Sequence, residues 1–142
     1  MATSNQTVVR RFFDELVNQR RYDRVNELIA PDLVIHTQVP GVRGGRDGFL
    51  AFLRLLLDAF PDQEATIDLL TEDGDLVTVL HTHRGVQDGP FLGLPPTGKR
   101  IEVQRVEIYR LRHGQIAELW HHDDLFTLFT QLGMVTPPTV AG

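Results

Sequence analysis

The chain has 142 residues, of which 42% are hydrophobic and 23% are charged, and its formal net charge is −5. This length predicts one domain over residues 1–142, and the absence of cysteine excludes disulfides, thiolate nucleophiles and cysteine-bound metals. The negative net charge argues against general nucleic-acid binding, which needs a basic surface. Neither an apolar run near eighteen residues nor a signal-peptide pattern is found, so we expect a cytoplasmic protein that does not enter a membrane.

The first half of the chain carries three helical patterns and one strand pattern. Thr3 to Gln19 is apolar at helical spacing along one face. A second, short helix follows Asp23 and stops before Pro31, Leu33 to Thr37 is predicted to be a strand, and Asp47 to Phe60 is predicted to be a third amphipathic helix. The apolar residues of the short helix are Val25, Leu28 and Ile29.

The second half is mostly strand. The predicted strands are Glu64 to Leu70, Leu76 to Gly85, Lys99 to Leu111 and Gln115 to Asp123, and a last helix covers Leu125 to Leu132. Consecutive strands with short turns favour antiparallel pairing, and the amphipathic helices must cover one face of the sheet. We therefore predict an α+β domain in which a bent antiparallel sheet is wrapped by the three N-terminal helices.

The end of the last predicted strand is rich in groups that exchange protons. Trp120 is followed directly by His121, His122, Asp123 and Asp124. Titratable groups crowded beside an aromatic ring are typical of a proton-transfer site. Either aspartate could instead cap the helix that begins at Leu125, so the sequence offers two competing carboxylates for one catalytic position.

Several motifs resemble those of the SnoaL-like polyketide cyclases, which belong to the nuclear-transport-factor-2-like superfamily. They are Glu118-x-Trp120 with Asp124 four residues after the tryptophan, Gln131-Leu132-Gly133, Phe60-Pro61-Asp62, the loop from Gly89 to Lys99, and the hairpin from His113 to Trp120. The resemblance covers nearly the whole chain and implies the cone-shaped fold of that superfamily. Two departures lie near the expected pocket: Gly85-Val86-Gln87 replaces a frequent Gly-Thr-His, and His121 replaces a common acidic residue.

The resemblance also implies an activity. It is a cofactor-independent acid/base reaction on a hydrophobic, carbonyl-bearing small molecule, with intramolecular aldol cyclisation as the named reaction. Asp124 stands where the cyclases carry their acid/base carboxylate, and His36 stands where the family places a polar pocket residue. Two alternatives remain: an epoxide hydrolase, isomerase or hydroxylase in the same cavity, or a non-catalytic module that binds a small ligand. Proteins of this fold often pair through the sheet, so we expect a homodimer.

The partners of the catalytic group depend on the register of the last hairpin. If Arg112 to Gln115 forms the turn, one face carries Asp124 together with Arg105, Glu107, Trp120 and His122. A β-bulge would exchange part of that face for His121 and Asp123, so both registers stay open. The residues predicted to bind substrate are Trp120, His122, Arg105, Glu107, His81, Phe52 and Phe13.

Metal binding is considered for one pair of histidines. His81 and His83 are two residues apart on one predicted strand, so their side chains share a face. Such a pair can ligate a metal, but the sequence fixes no acidic third ligand beside it. We therefore predict no metal and no other cofactor.

Overall fold

The computed structural model describes residues 4–36 and 43–139. The predicted element ends at Thr3 and Thr37, the predicted loop at Pro40-Gly41 and the end of the predicted C-terminal tail at Gly142 lie outside these ranges. In chain order the elements are α1 (Asn5–Arg11), a π-helical segment (Phe12–Asn18), a 3-10 turn (Tyr22–Arg24), α2 (Val25–Leu28), β1 (Ile29–Ile35), α3 (Gly45–Ala59), β2 (Glu64–Asp73), β3 (Leu76–Val86), β4 (Arg100–Arg112), β5 (Gln115–Asp123) and α4 (Leu125–Gln131).

The strands form one five-stranded sheet in the order β1-β5-β4-β3-β2. Strands β2 to β5 pair with their chain neighbours in antiparallel fashion, as their short connections predict, and the α+β class is confirmed. The prediction of a wholly antiparallel sheet is wrong at one edge, because β1 pairs with β5 in parallel. No hairpin dictates the direction of β1, since a long connection that includes α3 separates it from β2.

The edge strand β1 starts earlier than the sequence predicts. Ile29, which was predicted to be helical, is the first residue of β1, and α2 is only one turn long. Pro31 lies inside the strand, which is tolerated because an edge strand does not need every N–H for the ladder. The pairing with β5 is irregular between Ile29 and Val34, consistent with the missing donor.

The main core fills the space between the helices and one face of the sheet, which we call the inner face. Phe13 and Leu16 from the π-helical segment and Leu57 from α3 are buried against Val79 and Tyr109 of the strands. The C-terminal end of α3 is held by a side chain from elsewhere in the chain: the Arg20 guanidinium donates to the backbone carbonyls of Leu57, Phe60 and Pro61. Those carbonyls would otherwise lack intrahelical partners. Within the described ranges, no helix is long and apolar enough to cross a membrane.

Candidate active site

The pairing of β4 with β5 decides which titratable side chains reach the inner face. Leu111 pairs with Ile116 and Arg110 with Glu118, so Ala117 is an extra residue in β5. This β-bulge reverses the in-and-out alternation of every residue that follows it in the strand. The inner face therefore carries Arg105, Glu107, Tyr109, Leu119, His121 and Asp123.

The regular register, which the sequence also allowed, is wrong beyond the bulge. Trp120 and His122 were expected on the same face as Arg105 and Glu107, but they pair with Ile108 and Val106 on the opposite face, which we call the outer face. Of the residues predicted to bind substrate, Arg105 and Glu107 therefore lie on the inner face, and His122, although it pairs on the outer face, still reaches the wall of the apolar cavity that the inner face helps to form. Trp120 does not line this cavity.

An apolar cavity lies between the inner face and the helices, in two adjoining compartments. The inner compartment has a volume of about 70 Å³ and the outer compartment about 460 Å³. The outer volume falls in the range of small-molecule sites, roughly 300 to 1,000 Å³. Residues that line both compartments are Phe52, Leu56, His83, Arg105 and His121. Of the two phenylalanines predicted to contact substrate, Phe52 lines both compartments and Phe13 lines the inner one.

His121 and Asp123 form a hydrogen-bonded pair at the junction of the two compartments. His121 Nδ1 lies 3.1 Å from Asp123 Oδ2. This hydrogen bond is the largest influence on His121, and the negative charge of Asp123 adds to it, so the pKa of the imidazole is raised above its ordinary value despite partial burial. An ionised carboxylate only accepts hydrogen bonds, so Nδ1 carries the proton and Nε2 is the basic nitrogen of neutral His121.

Asp123 stays ionised because its partners outweigh its burial. Burial raises the pKa of the carboxyl, but the hydrogen bond from His121 and the charge of Arg105 lower it further, to a net value well below the ordinary range. The other carboxylate oxygen, Oδ1, accepts from Arg105 Nε at 2.5 Å. We call His121, Asp123 and Arg105 the inner triad.

Arg105 connects this pair to a second buried carboxylate. Its Nη2 lies 3.7 Å from Glu107 Oε1, and Glu107 accepts from His81 Nε2 at 3.1 Å and from the Tyr109 hydroxyl. Burial raises the pKa of Glu107, but its hydrogen bond from His81 and the charge of Arg105 outweigh that effect and lower the pKa to about 2. Burial and the neighbouring carboxylate raise the pKa of the Tyr109 hydroxyl, so it serves as a donor.

His83 is buried in its neutral form. Gln63 Nε2 donates to the Val17 carbonyl at 2.8 Å, so Gln63 Oε1 accepts from His83 Nε2 at 2.6 Å. Burial and the positive charge of Arg105 lower the pKa of His83 to about 3. Neither His83 nor His81, which is bonded to Glu107, is arranged for metal binding, and the described residues contain no group of three or more potential ligands with metal-site geometry.

Neither of the two residues predicted to be catalytic is part of the inner triad. Asp124 is the exposed N-cap of α4: its carboxylate accepts from the Thr127 amide at 3.1 Å and from the Thr127 hydroxyl at 2.6 Å. Those two hydrogen bonds lower its pKa. Asp124 lies on the rim of the outer compartment, but each of its two carboxylate oxygens already accepts a hydrogen bond from Thr127. This is the capping alternative that the sequence offered.

His36 belongs to a second cluster, on the outer face. Its ring stacks on Trp120 with centroids 4.4 Å apart and planes 13° apart. His36 Nε2 lies 2.8 Å from one oxygen of Glu118, and Arg110 Nε lies 3.2 Å from the other. We call His36, Glu118 and Arg110 the outer triad. Like the inner triad, it joins a histidine, a carboxylate and an arginine, but it lies on the face turned away from the cavity.

Sequence reasoning missed three contributors to the site. Tyr109 was given no role, His83 was considered only as a metal ligand, and His121 was named in the proton-transfer cluster but not among the predicted catalytic or substrate-binding residues. The pattern that could have identified Tyr109 is the alternation of side chains along β4. Arg105, Glu107 and Tyr109 alternate with apolar residues and must therefore share one face. The bulge at Ala117 is what adds His121 and Asp123 to that face.

Comparison with known proteins identifies the family. Residues 7–132 match the model of the SnoaL-like polyketide cyclase family. Among solved structures, IdmH from Streptomyces antibioticus, described as a candidate polyketide cyclase, is 32% identical with a TM-score of 0.80, and the match covers 92% of this chain and 99% of IdmH. No curated protein matches the chain.

Two further structures are equally similar in shape. A candidate SnoaL-like polyketide cyclase from Jannaschia sp. CCS1 is 32% identical with a TM-score of 0.82, and the match covers 94% of this chain and 93% of that one. TsrD from Streptomyces laurentii is 28% identical with a TM-score of 0.83, and the match covers 92% of this chain and 95% of that one. The expected fold is therefore confirmed, and the chain belongs to the SnoaL-like polyketide cyclase family.

Proposed function

We propose that the protein is an acid/base enzyme that needs no cofactor and acts on a neutral, apolar, carbonyl-bearing small molecule. The named reaction is an intramolecular aldol cyclisation of the polyketide type. The observation that carries the proposal is the His121–Asp123 pair, which adjoins an apolar compartment of about 460 Å³. A histidine whose pKa is raised by an ionised partner exchanges protons near neutral pH, which is what a general base requires.

The proposed reaction uses His121 twice. Its Nε2 removes a proton from the carbon next to a carbonyl group, and the electron pair of that C–H bond becomes an enolate. The enolate carbon then attacks a second carbonyl carbon of the same molecule, which forms the new C–C bond and leaves an alkoxide. His121, now protonated, returns the proton to the alkoxide oxygen. These steps need no oxidant, reductant or metal.

Arg105 is the group that would stabilise the enolate. Its Nε donates to Asp123, its Nη2 lies 3.7 Å from Glu107 Oε1, and the side chain lines both compartments. Donors held in place at the position of a developing oxyanion contribute strongly in a site shielded from water. Asp123 and Glu107 already balance the charge of Arg105, so the site favours a neutral carbonyl over a permanent anion.

Proton exchange tests this function before the natural substrate is known. 2-Acetonaphthone is a neutral, apolar methyl ketone, and NMR in D₂O detects replacement of its methyl protons. The wild-type protein should accelerate this exchange, and Asp123→Asn should not. Glu118→Gln, which changes the matching carboxylate of the outer triad, is the control and should keep the wild-type rate. A protein that binds the ketone without accelerating exchange would instead be a binding module.

We also propose that the protein forms a homodimer through the outer face of the sheet. Val34 and Val106 expose apolar surface there, beside the stacked rings of His36 and Trp120. Polar and charged groups such as Arg110 surround this centre, as at many interfaces. Light scattering should give twice the chain mass of 16.1 kDa, and Val106→Arg should halve that value. A wild-type mass equal to one chain at micromolar concentration would contradict the dimer.

A further inference from the structure

The loop between β3 and β4 contains a tight turn with a strained residue. Phe91 and Leu94 exchange both of their backbone hydrogen bonds, so Leu92 and Gly93 form a two-residue hairpin turn. Both have positive φ, 48° for Leu92 and 81° for Gly93, which is the pattern of a type I′ turn. Asparagine or glycine is preferred at the first position, because the Cβ of other residues crowds the following carbonyl oxygen.

The rest of the loop prevents Leu92 from relaxing. The fully buried Gln87 side chain accepts from the Thr97 hydroxyl at 2.7 Å and donates to the carbonyls of Gly89 and Pro95. Phe91 is buried edge-on against Phe60, with ring centroids 5.6 Å apart. The loop is therefore anchored on both sides of the turn, and a strained backbone persists only where its surroundings fix it in this way.

The fold itself gains little from a leucine at this position. Leu92 is 46% exposed, and among the described residues it belongs to neither hydrophobic core cluster. Its side chain does line the outer compartment of the cavity, together with Phe60 and Phe91. A large apolar residue is thus kept in an unfavourable conformation at the wall of a binding cavity, although asparagine would suit the turn better.

We infer that Leu92 is a binding determinant: the turn presents its side chain to an apolar ligand in the outer compartment, and ligand contact is what the strained leucine provides. This inference rests on the ligand-binding half of the proposed function and not on the chemistry of the inner triad. The ligand surface facing Leu92 should be apolar, because Phe60, Phe91 and Leu128, which pack in one hydrophobic cluster, line the same compartment.

The test measures affinity and stability on the same variants. N-phenyl-1-naphthylamine is a neutral apolar dye that fluoresces when it leaves water, so titration gives its Kd. Leu92→Asn should raise Kd about tenfold through the lost apolar contact. The same change should raise the unfolding temperature by about 2–4 °C, because it relieves the strained turn. Leu92→Met keeps an apolar side chain and should hold Kd within about threefold of wild type.

The hairpin turn between β4 and β5 provides a matched control. His113 and Gly114 have φ values of 52° and 75°, the same pattern, at the opposite end of β4 from Leu92. His113→Asn should leave the dye Kd unchanged. The inference is wrong if the wild-type protein does not bind the dye, if Leu92→Asn binds it as tightly as wild type, or if Leu92→Asn lowers the unfolding temperature. A wild-type protein that binds the dye through Leu92 but does not accelerate ketone exchange would refute the proposed function and leave this inference intact.

Discussion

The two faces of the sheet each carry a histidine, a carboxylate and an arginine in the same connection, but in different surroundings. In each triad one carboxylate uses one oxygen for a histidine and the other for an arginine. The side chains of the inner triad (His121, Asp123 and Arg105) are 14%, 20% and 18% exposed, whereas those of the outer triad (His36, Glu118 and Arg110) are 38%, 31% and 37% exposed.

This difference in burial separates a candidate active site from a surface cluster. Charges that are shielded from water interact more strongly, and the pKa shifts of His121 and Asp123 follow from their mutual hydrogen bond inside the cavity. In the single chain the outer triad is exposed to solvent, where ion pairs contribute little. Under the proposed function, a His–carboxylate–Arg arrangement alone would not suffice for catalysis, and the helices that cover the inner face provide the burial that the outer triad lacks.

The largest expected difference between the triads is in catalytic rate. Asp123→Asn should lower the rate of ketone proton exchange by about two to four orders of magnitude, the usual contribution of a positioned acid/base group. Glu118→Gln makes the equivalent change in the outer triad and should alter the rate by less than about twofold. Circular dichroism of both variants checks that they are folded. Equal losses in the two variants would mean that burial does not distinguish the triads.

The carboxylates of the two faces should also differ in their contribution to the free energy of unfolding, although less than the triads differ in catalytic rate. Glu107→Gln places an amide donor against the Tyr109 hydroxyl or His81 and removes one of the two charges that balance Arg105. It should lower the free energy of unfolding by about 2–4 kcal/mol. Glu118→Gln on the outer face should cost less than about 1 kcal/mol. Urea unfolding curves measure both, and a smaller loss for Glu107→Gln than for Glu118→Gln would reverse the comparison.

The pH dependence of stability should reveal the neutral histidine of the inner face. Because the pKa of His83 is lowered to about 3 in the folded protein, the unfolded chain binds more protons between that value and the ordinary one of about 6.5. Stability should therefore fall as pH decreases through this window, by up to about 1.4 kcal/mol per pH unit.

His83→Gln removes this contribution and should flatten the fall between pH 6.5 and 4.5 in urea unfolding experiments. His121 acts in the opposite direction, because its raised pKa stabilises the folded state below about 6.5 and the benefit is lost as pH rises. That contribution is present in both proteins and cancels in the difference. Identical slopes for wild type and His83→Gln would show that His83 is not held neutral.

The smallest effect is expected at Asp124, the residue that the family resemblance marked as catalytic. Asparagine caps a helix about as well as aspartate, so Asp124→Asn should leave both the exchange rate and the unfolding temperature near their wild-type values. Asp124→Ala, which removes the cap, should lower the unfolding temperature without lowering the rate of the folded protein. A large loss of rate in Asp124→Asn would return the acid/base role to this residue.

Sequence patterns predicted the fold better than the site. The apolar periodicity of Asp47 to Phe60 and the alternation of Lys99 to Leu111 depend on local spacing, so they predicted α3 and β4 with small errors at the ends. The direction of β1 was not predictable in this way, because it depends on a pairing with β5 more than eighty residues away in sequence.

The sequence-based prediction of the site went wrong because of a single residue, the bulge residue Ala117. Ala117 carries no turn or bulge signal of its own, yet its insertion places Trp120 and His122 on the outer face and His121 and Asp123 on the inner face. Regular alternation cannot reveal such an insertion. By contrast, Arg105 and Glu107 were assigned to one face correctly because no bulge interrupts β4 between them.

The most direct test of the inner triad is the titration of His121 itself. NMR of the His121 ring as a function of pH needs no substrate, and the account predicts a pKa above about 6.5 in the wild-type protein because Asp123 holds the protonated form. Asp123→Asn should lower that pKa, while Glu118→Gln should leave the titration curve unchanged. A wild-type His121 that titrates at or below about 6.5, with no change in Asp123→Asn, would contradict the assignment of this pair as the acid/base group.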